Sequence, residues 1–269
     1  MLNYKMLVTR IRSRKSFLCV GLDTDPQRLP DCLKGSPDPV LAFNKAIIAA
    51  TADYCVAFKI NTAFYEAQGA AGWQTLTETV AAIPETHLCI LDAKRGDIGN
   101  TAQQYAQAFW QMPRADALTL SPYMGKDTVM PFLEAQSRWA ILLALTSNPG
   151  SADFQLQKLA SGDYLYEEVV RQATAWADHQ RLMFVVGATH PEHIERVRRL
   201  APRHFLLIPG VGAQGGDLER VFAVGQTNEV GLLVNASRSI IYASLLSDFD
   251  MAAAEAAARL QNTMQNLLS

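Results

Sequence analysis

Eight short apolar runs rich in β-branched residues recur along the chain, at Phe17–Leu22, Cys55–Ile60, Leu88–Leu91, Ala117–Leu120, Ala140–Leu145, Met183–Val186, Phe205–Ile208 and Gly231–Val234. Their length and content predict strands. Between them lie segments in which apolar residues return with helical period, at Val40–Ala52, Thr75–Ile83, Thr101–Trp110, Asp127–Ala135, Tyr164–Ala177, Pro191–Leu200, Asp217–Val224 and Met251–Leu267. Strict alternation of strand and helix implies a parallel sheet, because each parallel strand needs a crossover before the next. Eight repeats in 269 residues fit a closed (β/α)8 TIM barrel better than an open doubly wound sheet, which usually holds fewer strands. The expected organisation is a single α/β domain over residues 1–269. Asp25-Pro26, Pro37-Asp38-Pro39 and Asn148-Pro149-Gly150 fall in loops, and the longest irregular stretches come after the first and fifth strands.

Polar residues collect just beyond the apolar runs. In chain order the next polar or small residues are Asp23, Lys59 with Asn61, Asp92 with Lys94, Ser121, Thr146 with Ser147, Thr189, Gly210, and Asn235 with Arg238. Barrels of this kind carry their chemistry at the C-terminal ends of the strands, so the pattern locates a candidate site by itself.

Composition narrows the class. An apolar content of 49% supports one large core, and 24 Lys plus Arg against 26 Asp plus Glu leave no basic field to attract phosphate backbones or anionic lipid. Neither nucleic acid nor a membrane is expected as a partner, and no apolar run reaches the length of a bilayer span. Cys19, Cys32, Cys55 and Cys89 form no C-x-x-C pair and read as buried small hydrophobes of a reducing, cytoplasmic protein. The basic stretch Arg10, Arg12, Arg14, Lys15 leads into no long apolar segment and reads as a solvated face rather than a targeting signal.

Two stretches carry candidate chemistry. In Leu91-Asp92-Ala93-Lys94-Arg95-Gly96-Asp97, residues 92 and 94 stand two apart on a strand and are expected to project from one face, with Asp97 in the adjoining loop. With Lys59 at the end of the neighbouring strand, carboxylates and ammonium groups alternate in a partly dry pocket. Such a network is costly to bury, which favours function over a structural ion pair at the rim. The second stretch, Pro209 to Gly216, contains a literal G-x-G-x-x-G after a strand. Its place on the seventh strand argues against a dinucleotide site and for a monophosphate site, completed by Ser237 and Arg238 after the eighth. His190 and His193 lack a third metal ligand at suitable spacing and read as a solvated helix start. Tyr105, Phe109, Trp110 and Met112 fall at helical spacing and are assigned to packing.

Taken together, these residues resemble the orotidine 5′-monophosphate decarboxylase family, especially its longer bacterial type 2 subfamily, and the resemblance spans nearly the whole chain. The matching pieces stand in order: Val20-Gly21-Leu22-Asp23; Phe58-Lys59-Ile60-Asn61 with Phe64 and Glu66; Asp92-Ala93-Lys94-Arg95-Gly96-Asp97-Ile98-Gly99-Asn100-Thr101; Leu145-Thr146-Ser147; Pro209-Gly210-Val211-Gly212 with Gln214; and Ser237-Arg238. Against the short bacterial form, the loop after Pro209-Gly210 is compact and lacks an arginine, and Ser237 stands where glycine is commoner.

The resemblance implies a carboxy-lyase that converts orotidine 5′-monophosphate to uridine 5′-monophosphate and CO2 in pyrimidine biosynthesis, with no cofactor and no metal. It assigns Lys94 as the proton donor, with Lys59, Asp92 and Asp97 completing the charged network. Asp23 is expected on the ribose hydroxyls, Thr146 or Ser147 on the pyrimidine edge, and Gln214 with Arg238 on the phosphate. Asn61, Pro209, Gly210 and Ser237 belong to the matched pieces and are expected at the substrate. Asp97 and Thr101 are implied to reach the neighbouring subunit's site, which makes the expected assembly a homodimer. Two other readings compete: a magnesium-dependent relative acting on sugar phosphates, against which Lys59 argues, and a non-catalytic nucleotide-binding barrel, against which the intact charged set argues.

Overall fold

The computed structural model describes residues 2–112, 114–135, 137–211 and 216–269. Among them, β1 (Leu18–Gly21), β2 (Ala57–Asn61), β3 (Leu88–Arg95), β4 (Ala117–Leu120), β5 (Trp139–Leu145), β6 (Leu182–Val186), β7 (Phe205–Pro209) and β8 (Leu232–Ala236) close into one barrel in sequential order. Pairing is parallel, with Lys59 opposite both Gly21 and Ile90, and Asn61 opposite Asp92. This is the (β/α)8 barrel that the alternation predicts. Most strand residues are buried, including Phe58, Trp139, Phe184 and Phe205, as expected of parallel strands covered on both faces.

The helices are α1 (Tyr4–Arg14), α2 (Pro39–Thr51), α3 (Ala63–Glu66), α4 (Gly69–Ala82), α5 (Gly99–Trp110), α6 (Lys126–Glu134), α7 (Leu165–Thr174), α8 (Pro191–Leu200), α9 (Leu218–Gly225), α10 (Arg238–Ile241) and α11 (Phe249–Leu267). Several starts are written in the chain. Asp38 caps α2 by accepting from Leu41 N at 2.9 Å, with Pro39 behind it, and Asp217 caps α9 by accepting from Glu219 N at 2.9 Å. The unpredicted helices are α1, α3 and α10. In α1 the buried residues Tyr4, Leu7, Val8 and Ile11 keep helical spacing, which the intervening basic residues obscured. Arg12 and Lys15 are solvated, but Arg10 and Arg14 are only half-exposed, Arg10 turning in towards His87 and Arg14 pairing with Asp53 at 3.0 Å.

By its contacts the chain separates into two compact units, one of Met1–Ala93, Gln111–Asp116 and Asn235–Ser269, the other of Lys94–Trp110 and Ala117–Val234. In the first, Phe43 of α2 stacks on Tyr242 and on Phe249, with centroids 5.9 Å and 5.1 Å apart, and so anchors α10 and α11. In the second, the buried Arg198 of α8 donates to the carbonyls of Ala201, His204, Gly225 and Gly231 at 2.7 to 2.9 Å. The negative ends of α8 and α9 help to meet its charge. In the same unit the guanidinium of Arg95 lies over Tyr105 and Phe109, and that of Arg138 over Trp110. Of the residues assigned to packing, Phe109 and Met112 are buried and Trp110 half-buried, whereas Tyr105 is exposed.

One buried group ties folding to pH. His87 packs against Phe58, and its Nε2 lies 2.8 Å from the Ala52 carbonyl and 3.3 Å from an Arg10 nitrogen. Burial, reinforced by the Arg10 and Arg14 charges, lowers its pKa from 6.5 to about 4. Below pH 6.5 the unfolded chain therefore binds a proton that the folded chain refuses, so stability contributed by neutral His87 is full above 6.5 and is lost as pH falls towards 4. Thermal melts are expected to show Tm falling across that window, and His87→Gln to flatten the fall. An equally steep fall in the variant would assign the acid sensitivity elsewhere.

Candidate active site

In the first unit the ends of β1, β2 and β3 and the turn after β8 bring four predicted residues together. Lys59 is 5% exposed, and its Nζ lies 3.1 Å from Asp23 Oδ1 and 3.1 Å from Asp92 Oδ2. The outer oxygen of Asp23 accepts from Ser237 Oγ at 2.7 Å. Burial opposes the Lys59 charge, but Asp23 and then Asp92 outweigh it, and the pKa stands well above the ordinary lysine value. Lys59 is a fixed cation held between two carboxylates. Beneath it, burial pushes the Cys19 thiol up to about 12, so this cysteine is an inert core residue; Cys55 and Cys89 are buried too, whereas Cys32, expected to be buried with them, is exposed.

Close approach of backbone makes the cluster possible. A Cβ on Gly21 would stand 2.2 Å from Ser237 Oγ and 2.9 Å from Ser237 Cβ, so only glycine at the end of β1 lets Ser237 reach Asp23. The serine found where glycine is commoner is thus part of the charged cluster. Arg238 comes next, exposed, at the start of α10. Asn61 turns back on its own chain, its Oδ1 accepting from Ala63 N at 3.2 Å.

In the second unit, β3 runs past its predicted end to Arg95, but not as a regular pleat. Lys94 has φ 49°, in the left-handed region that costs a residue with a side chain about 1–2 kcal/mol. Its N–H donates to the buried Thr119 Oγ1 of β4 at 2.9 Å, which holds the backbone there. The uniform alternation assumed from sequence therefore stops at Ala93, and the Lys94 side chain is exposed. Asp97 is half-buried with Oδ1 accepting from Ile98 N at 2.8 Å, and Thr101 is exposed on α5. Thr146 donates to Asn148 Oδ1 at 2.6 Å and accepts from Gln155 Nε2 at 3.0 Å, while Gln155 Oε1 accepts from Thr146 N at 2.7 Å. Ser147 is half-buried, its Cβ 2.9 Å from where a Cβ on Gly187 would lie. Pro209 ends β7, and Gly210 after it has φ 96°. Gln214 lies outside the described residues.

Sequence reading missed Thr119 and Gln155. Thr119 sits inside an apolar run that reads as core, and Gln155 carries no signal beyond its place in the long loop after β5. Of the two histidines, His190 is exposed near Glu192, as a solvated helix start should be. His193 departs from that expectation: it is half-buried and hydrogen-bonded to Tyr166 at 2.8 Å, because α7 brings an aromatic pair against the start of α8. Among the described residues no group of three His, Cys, Asp or Glu is placed to hold a metal ion, and no helix is long and apolar enough to cross a membrane.

A parallel barrel with a buried ammonium between two carboxylates at its strand ends defines a class of enzyme rather than one reaction. Comparison narrows it: residues 16–247 match the model of the Orotidine 5′-phosphate decarboxylase / HUMPS family, and the chain belongs to that family. It is 50% identical to an orotidine 5′-phosphate decarboxylase of Bacteroides fragilis over 99% of this chain and 98% of the relative. It is 52% identical to one of Porphyromonas gingivalis over 97% and 96% respectively. The solved OMP decarboxylase of Leishmania donovani superposes with TM-score 0.82 at 34% identity, covering 98% of this chain and 99% of that one. The activity is accordingly that of a carboxy-lyase, the decarboxylation of orotidine 5′-monophosphate to uridine 5′-monophosphate in pyrimidine biosynthesis.

Gly21→Ala should expel Ser237 from Asp23. Loss of a hydrogen bond to a charged group is expected to lower kcat/KM about tenfold or more, read from the ultraviolet change as orotate becomes uracil, with a small drop in Tm. Unchanged kcat/KM would remove Ser237 from the working site.

Proposed function

We propose that Lys94 is the proton donor of the decarboxylation and that Asp23, Lys59, Asp92 and Asp97 form its electrostatic surroundings, with no metal or organic cofactor. Loss of CO2 from C6 leaves an electron pair orthogonal to the ring π system, so no delocalised sink receives it and charge must be met by fixed cations. A lysine ammonium can stabilise that charge and then deliver its proton to the same carbon. The observation that carries this reading is Lys59 held between Asp23 and Asp92: a cation locked in place, flanked by carboxylates suited to orienting a second ammonium. Lys94 stands two residues beyond Asp92 on β3 and is itself held at a left-handed backbone. Lys59 also argues against the magnesium-dependent alternative, because it fills the end of β2 with positive charge.

The rest of the substrate is held by neighbouring strand ends. Asp23 with Asn61 faces the ribose, and the turn that carries Thr146 and Ser147, fixed by Asn148 and Gln155, faces the pyrimidine edge. Pro209, Gly210, Gln214 and Arg238 hold the phosphate, whose grip positions the ring and so appears in the rate, while the Ser237 hydroxyl stays committed to Asp23. The enzyme works in the cytoplasm as a homodimer, in which Asp97 and Thr101 complete the neighbouring site. Free thiols at Cys19, Cys32, Cys55 and Cys89 support the compartment, and exposed Ile98, Tyr123 and Phe154 support an apolar subunit contact.

Lys94→Ala is expected to fold normally and to lose about a thousandfold or more in kcat, with conversion by the wild type insensitive to EDTA. Near-normal turnover by the variant would sink the proton-donor role. Mixing Lys94→Ala with Asp97→Ala protein under conditions of subunit exchange should restore about a quarter of wild-type activity, the statistical yield of one intact site per mixed dimer. No recovery would mean that each site is built within one subunit.

A further inference from the structure

The loop that carries Asp23 away from β1 is pinned from behind by a buried polar network with no direct part in the chemistry. At its centre is Asn44 of α2, fully buried together with Thr24, Tyr65 and Thr79. Thr24 Oγ1 donates to Asn44 Oδ1 at 2.6 Å, and Asn44 Nδ2 donates to Tyr65 Oη at 2.9 Å and to Thr79 Oγ1 at 3.0 Å. Tyr65 Oη donates in turn to the Leu22 carbonyl at 3.2 Å. The residues on both sides of Asp23 are therefore held, Leu22 through its carbonyl and Thr24 through its hydroxyl, and the whole Asn44 amide is used.

Apolar side chains of similar volume would fill this space without the cost of desolvating four polar groups. What a fully satisfied network adds is a single geometry, because each member fixes the next and any shift leaves a buried donor or acceptor unpaired. Asp23 needs such a geometry. Its two oxygens serve different partners, Lys59 at 3.1 Å and Ser237 at 2.7 Å, and a small rotation of the backbone between Leu22 and Thr24 would break both contacts.

We propose that Asn44 is a positioning residue for the decarboxylation: through Thr24 and Leu22 it sets the Asp23 carboxylate against Lys59 and Ser237, and it acts on the reaction only through Asp23. This rests on the reading that Asp23 belongs to the active site, and a double-mutant cycle separates the two. Asn44→Leu and Thr24→Val are made in the wild type and in an Asp23→Asn background, with kcat, KM and Tm measured for each. In the wild type, Asn44→Leu is expected to lower kcat/KM about tenfold or more, and Thr24→Val, which removes one hydroxyl at similar volume, to lower it less, dividing the loss between kcat and KM as Asp23→Asn does. In the Asp23→Asn background neither should cost more than about twofold further.

Equal fold-losses in both backgrounds would overturn the inference, making Asn44 a general packing residue, and so would wild-type kinetics for both variants when Asp23→Asn is impaired. Wild-type activity of Asp23→Asn itself would overturn the site reading beneath it. If Asn44→Leu does not melt cooperatively, Thr24→Val carries the same cycle with the same outcomes.

Discussion

An ammonium at 5% exposure survives only where anions replace its water, and at Lys59 that requirement organises the end of the barrel around it. Asp23 and Asp92 both approach to 3.1 Å, from the strands on either side of β2. Each is then constrained in its turn. Asp23 accepts from Ser237, which Gly21 admits by having no side chain, and the loop behind Asp23 is fastened to α2, α3 and α4. The stability gained by the pair itself is modest, since desolvation offsets most of the attraction, but removing one partner would strand a buried charge at a cost of about 3–5 kcal/mol. An arrangement so poor as a stabiliser and so sensitive to its members is suited to holding charge in place for a reaction.

Backbone geometry supplies the rest of the precision. At Lys94 the chain adopts a conformation that side chains disfavour, and a hydroxyl of β4 holds it there. After β5, Thr146 is drawn into a ring of contacts with Asn148 and Gln155 that fixes the turn carrying Ser147, and Gly187 leaves room for that turn. In both places the strand supplies the position and a polar side chain from elsewhere supplies the orientation. The barrel sets strand ends with a spacing fixed by pairing, so few such clamps are needed for each group.

The barrel and the position of Asp23, Lys59 and Asp92 at strand ends were legible because both rest on local pattern; that Asp23 pairs with Lys59, where only a ribose contact was expected of it, was not. Apolar runs of strand length separated by helical periods leave few topologies, and Ala117–Leu120 and Pro191–Leu200 keep the bounds that periodicity assigned. Asp23, Lys59 and Asp92 stood out because charged residues directly after buried strands are improbable without a use. α1 was hidden because its apolar stripe is interleaved with basic residues that dominate the composition. β3 was read four residues short because Asp92 breaks the apolar run, although the strand continues to Arg95.

The sequence by itself determined the order of strands and helices, the side of the barrel on which chemistry would lie, and the residue types available to it, because those depend on periodicity and on chain direction. Only the tertiary structure decided which hydroxyl meets which carboxylate, that Lys94 leaves the regular pleat, that Thr119 and Gln155 matter, and that Asn44 stands behind Asp23. These are contacts between residues far apart in the chain, and their physical basis is close packing: whether Ser237 can reach Asp23 depends on a missing Cβ at Gly21, more than two hundred residues away in sequence, and no local pattern records that distance.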